Sequence, residues 1–65
     1  MTGEQFTAAR NALGLSQSDM AKALRMDGPH SYKTIGAWEN GRRDIPGPVT
    51  LAVLYLTRWQ PEQPT

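Results

Sequence analysis

Apolar residues recur along this 65-residue chain at spacings of three and four, and no stretch alternates as a strand would. The pattern predicts an all-α fold, a compact bundle of four short helices, with five as the alternative count. Phe6, Ala9 and Leu13 make one apolar stripe in a first helix read over Met1 to Leu13. Thr2 is its N-cap, Glu4 and Gln5 sit in its first turn, and Gly14 stops it by taking the left-handed conformation cheaply. The second helix has the strongest start signal. Ser16 caps it, Asp19 follows as a short-armed capping box, and Leu15 is placed to staple onto Met20. Ala21 and Leu24 continue its buried stripe while Lys22 and Arg25 face solvent, and the helix is expected to fade near Arg25 or Met26.

Asp27-Gly28-Pro29-His30 reads as a turn, after which Ser31 is expected to cap a third helix that Asn40-Gly41 ends. Wound at about 100° per residue, Ile35, Trp38, Thr34 and the methylene side of Ser31 share one face. Lys33, Gly36, Ala37 and Asn40 lie opposite, with Tyr32 at the edge. The first face anchors in a core, and its alignment makes Trp38 a core residue rather than a stacking one. The second carries short or polar side chains and a cation, which suits close approach to a polyanion. Arg42 to Pro46 is an extended connection, and Gly47 and Pro48 open a last helix running to Trp59. Val49, Ala52, Val53, Leu56 and Trp59 form one stripe of it; Leu51, Leu54 and Tyr55 form a second, with Arg58 among them. So small a chain cannot surround that helix, so the second stripe is expected to face a partner. Residues 1–60 are read as one domain and 61–65 as a frayed tail.

Composition narrows the chemistry. A chain of this length buries about 60% of its unfolded surface. Cysteine is absent and there is one histidine, so no thiolate or histidine metal site can form. No nucleophile–base pair or phosphate loop is visible, and His30 reads as a turn residue. The expectation is a non-enzyme with no cofactor and no small-molecule substrate. No apolar run approaches the roughly 18 residues of a membrane span, and no signal pattern is present, so the chain is expected to be soluble and cytoplasmic. Net charge is only +1, with a pI near 8.2. Its distribution says more: Lys33, Arg42 and Arg43 cluster in or just after the third helix, far in sequence from Glu4, Asp19 and Glu62.

At Leu13-Gly14-Leu15-Ser16-Gln17 and Trp38-Glu39-Asn40-Gly41-Arg42-Arg43 the chain resembles the Cro and phage-repressor type of helix-turn-helix, a λ-repressor-like fold. The likeness spans about Phe6 to Leu56. It implies a second helix that crosses the DNA backbone and a third that enters the major groove. It further implies that Gln17 touches a phosphate or base edge, and that Ser31, Tyr32 and Lys33 occupy base- and phosphate-reading positions. Ala37 would offer a methyl contact, and the amides around Asn40-Gly41, with Arg42 and Arg43, would clamp phosphates. Arg10 and Glu39 would form a structural ion pair between the first and third helices. The sequence departs from the family pattern in a longer segment between Leu24 and Thr34, and in lacking the usual short fifth helix.

These readings converge on a sequence-specific regulator of transcription that binds double-stranded DNA. The expected form is a homodimeric repressor of phage or mobile-element origin on an inverted-repeat operator, paired through Leu51, Leu54, Tyr55 and Arg58. Lys33, Arg42 and Arg43 are read as contacts rather than solvated cations, and Gly36 as a point of close approach rather than of tight helix packing. Tyr32 either meets a thymine methyl or a phosphate, or covers the long turn. The rival class is a protein-interaction module that uses the apolar last helix.

Overall fold

The computed structural model describes residues 1–58. These form four helices: α1 (Gly3–Ala12), α2 (Gln17–Ala23), α3 (Ser31–Glu39) and α4 (Gly47–Arg58), with no strand among the described residues. The expected places of Trp59 in the last helix and of the frayed tail lie outside them.

Local chemistry sets the starts of α1 and α2. The Thr2 hydroxyl oxygen accepts from the Gln5 amide at 3.0 Å, while the Gln5 side chain accepts from the Thr2 amide at 2.8 Å. This is a closed capping box, which trims the helix to Gly3–Ala12 rather than Met1–Leu13. The Ser16 hydroxyl oxygen accepts from the Asp19 amide at 3.0 Å and starts α2 in the same way.

The first three helices end alike. Past α1, Gly14 (φ 71°) donates to the Asn11 carbonyl and Leu15 to that of Arg10. Past α3, Gly41 (φ 81°) donates to Trp38 and Arg42 to Ala37. Each is the paired bond pattern of a Schellman motif. The same pattern closes α2, where Arg25 donates to Lys22 and Met26 to Ala21, but the left-handed position is held by Arg25 at φ 60°. The helix therefore stops at Ala23, earlier than its apolar periodicity suggests, because the chain turns left-handed one residue past Leu24.

α3 starts differently from the sequence reading. His30 stands at the cap position and its side chain makes no capping bond. Ser31 is the first helical residue, and its hydroxyl donates backward to the carbonyls of Asp27 and Gly28. The longer turn explains the shift: it presents two carbonyls within reach of that hydroxyl, so the side chain donates instead of accepting.

Each helix sends one fully buried side chain to the centre: Phe6 from α1, Met20 from α2, Ile35 from α3 and Val53 from α4. Ala21 and Trp38 complete the core, and Ala9, Leu13, Leu15, Leu24, Met26, Ile45 and Val49 pack around it. Phe6 and Trp38 meet edge to face, centroids 5.8 Å apart. α3 packs against both α1 and α2, and α4 rests on α1. The closest approach is of backbone to backbone. A Cβ built on Gly3 would stand 2.5 Å from the Trp38 carbonyl oxygen and nearer still to that of Glu39. Only glycine lets the start of α1 seat against the end of α3.

Candidate nucleic-acid interface

A polar joint fixes α3 relative to its neighbours. The Arg10 Nε donates to Glu39 Oε2 at 2.6 Å, and its two terminal nitrogens reach Leu15 O at 2.9 Å and Glu39 Oε1 at 3.3 Å. One guanidinium thus ties α1 to the end of α3 and to the chain entering α2. Both side chains are largely enclosed, at 16% and 10% exposure. Gln17 joins them, its Nε2 donating to Glu39 Oε1 at 3.1 Å. Burial pushes the Glu39 carboxyl up. Hydrogen bonds from Arg10 and Gln17, the Arg10 charge and the Thr7 hydroxyl outweigh that effect and hold it below its ordinary value. The group is ionised at neutral pH.

With Ile35 and Trp38 rooted in the core, the rest of α3 divides as the wheel requires. Lys33 and Asn40 are exposed, with Arg42 and Arg43 exposed just beyond the helix end, while Ala37 and Gly36 are half-buried. Gly36 is not wedged against another helix. A Cβ there would meet only the Gln17 side-chain amide, its nitrogen at an ordinary 3.7 Å and its oxygen at 4.0 Å. Gln17 is half-buried and lies over α3, between Gly36 and Glu39.

Two expected roles change with this geometry. The amides of residues 40–43 are already committed to the α3 carbonyls of Gly36, Ala37 and Trp38, so they are not the free donors of a clamp. The Asn40 side chain is partly engaged as well, its Oδ1 accepting from the Arg42 amide at 3.3 Å. The side-chain nitrogen of Asn40 and the two guanidinium groups remain as donors on this exposed stretch. Ser31, in turn, is half-buried with its hydroxyl turned into the preceding turn, which leaves Tyr32 and Lys33 as the exposed positions of the first helical turn.

Tyr32 is 39% exposed and tilts toward the His30 ring at 6.4 Å. Beside it a cleft of about 270 Å³ opens between Ser18 and Lys22 of α2 and Ser31 and Tyr32 of α3, lined also by Ala21 and Met26. Sequence reasoning did not foresee this cleft, nor the left-handed Arg25 that helps shape the turn. On the far side, α4 exposes Leu51 at 70% and Tyr55 at 49%, with Arg58 exposed and Leu54 half-covered. No helix among the described residues is long and apolar enough to cross a membrane, and these residues hold no cluster of metal-ligating side chains.

A capped scaffold helix crossing a second helix whose outer face is bare and flanked by cations defines a helix-turn-helix protein. Comparison with protein families agrees: residues 7–54 match the family described as Helix-turn-helix. That span is most of the chain, and the protein belongs to this family, in its Cro and phage-repressor form. The family consists of DNA-binding regulators of transcription, generally without catalytic activity. No curated protein and no solved structure matches the chain closely enough to extend the comparison.

Proposed function

We propose that this protein represses transcription by seating α3 in the major groove of a specific duplex and excluding polymerase from the promoter. The observation that carries the reading is the two-sidedness of α3: Ile35 and Trp38 are buried while Lys33, Asn40, Arg42 and Arg43 stand exposed along one continuous stretch. Lys33 suits guanine N7 and O6 or a phosphate, Ala37 a thymine methyl, and the paired arginines the backbone. Tyr32 and Gln17 extend the contact toward the start of α3 and across the backbone. In this reading two copies pair through Leu51, Leu54, Tyr55 and Arg58, placing their α3 helices on half-sites about 34 Å apart.

Selection from random-sequence duplexes, followed by binding at two salt concentrations, tests the proposal. An enriched inverted repeat is expected. Lys33→Ala relaxes base preference at one position of each half-site, and Arg43→Ala weakens binding to all sequences, lowering the salt slope by about one. Failure to enrich any site removes sequence-specific recognition.

The exposure of Leu51 favours one rival, a module that binds a partner protein through α4. Under it, Leu51→Asp abolishes function and Arg43→Ala does not. Under the repressor reading Leu51→Asp reduces cooperativity of operator binding and Arg43→Ala reduces affinity.

A further inference from the structure

We infer that Glu39 is a positioning residue for DNA contact, acting through Gln17; the inference rests on the reading of Gln17 as a DNA-facing residue. A carboxylate only accepts hydrogen bonds, so the Gln17 side chain must turn its nitrogen, not its oxygen, toward Glu39 Oε1, at 3.1 Å. This settles an orientation that a free glutamine would leave to chance. One N–H of the amide is taken by Glu39 and the second is left for an outside acceptor.

A bare carboxylate beside a polyanion would repel it. Arg10 cancels that charge through its 2.6 Å contact on the opposite oxygen. The ion pair therefore does two things at once: it fixes α1 to α3, and it holds a neutral amide donor in one orientation on the outer surface of the α2–α3 junction. A pairing that served stability alone would not need the third member.

A double-mutant cycle separates these roles. Affinity for the selected duplex is measured by fluorescence anisotropy for the wild-type chain, Glu39→Gln, Gln17→Met and the double variant, at a temperature where circular dichroism shows each one folded. Loss of one charge-assisted bond predicts about tenfold weaker binding for either single variant, with the double variant no weaker than Gln17→Met alone. If Glu39→Gln lowers affinity equally with and without Gln17, the positioning role is refuted while DNA binding stands. If the wild-type chain binds no duplex at all, the DNA reading and this inference fail together. Should Glu39→Gln not fold, the wild-type chain still decides. The nitrogen resonance of the Gln17 side-chain amide must move as acid protonates Glu39, and a stationary resonance overturns the coupling.

Discussion

Replacing glycine by alanine has opposite consequences at two positions of this molecule, and the contrast tests how its helices meet. At Gly3 the added Cβ would stand 2.5 Å from the Trp38 carbonyl oxygen and 2.8 Å from the Glu39 carbonyl carbon. All these atoms are backbone, so no side chain can swing aside, and either α1 must lift from α3 or its first turn must unwind. Overpacking of this kind costs about 1–3 kcal/mol, against a helix-propensity gain of at most about 1 kcal/mol. At Gly36 the same methyl meets only the Gln17 side-chain amide, at an ordinary 3.7 Å, and keeps the propensity gain, so stability should rise by about 0.5–1 kcal/mol. In a domain whose whole stability is roughly 3–10 kcal/mol these differences are large. Thermal unfolding should place Gly3→Ala about 5–10 °C below the wild-type chain and Gly36→Ala a few degrees above it. Urea midpoints should follow the same order with unchanged slopes. A Gly3→Ala variant as stable as the wild type would refute the close approach of α1 to α3. On DNA, Gly36→Ala should bind more weakly despite its greater stability, since it adds a methyl to the outer face of α3.

Three further outcomes follow from the same geometry. Glu39→Ala leaves the enclosed Arg10 without its partner and should cost about 3 kcal/mol in a denaturant titration, enough to threaten folding at 37 °C. The folded pKa of Glu39 lies below its ordinary unfolded value, so the stability it lends is complete above that unfolded value and is lost as pH falls through the lowered folded one. The melting temperature should therefore drop in that acid range, and Glu39→Gln should flatten the drop. Arg25→Gly relieves a left-handed arginine at φ 60° and should stabilise the chain by about 0.5–1 kcal/mol, measured by the same urea midpoints.

The parts of the fold that depend on neighbours in sequence were legible. Thr2 and Ser16 cap their helices, Gly14 and Gly41 close theirs, and the apolar stripes of the first and third helices carry Phe6, Ile35 and Trp38 to the core. What escaped depends on meetings far apart in the chain. Nothing near Gly3 announces that Glu39 and Trp38 will press against it. Arg25 is a poor residue for a left-handed position, so no local signal marks the end of α2 there. Ser31 looks like a cap, yet the carbonyls of a longer turn capture its hydroxyl. At the candidate site, the wheel sorted the two faces of α3, and the family likeness brought Arg10 and Glu39 together. The engagement of Gln17 by Glu39 was visible to neither, because it arises only when α2 lies across α3.

The wedge of Ile35 and Trp38 is buried, while Lys33 on the opposite face of α3 and Asn40 at its C-cap are exposed. The exposed set can therefore be rewritten residue by residue while the chassis beneath it keeps its shape. On the proposed reading of α3, a lineage carrying this fold has an address label that mutation can edit separately from the frame on which it is mounted.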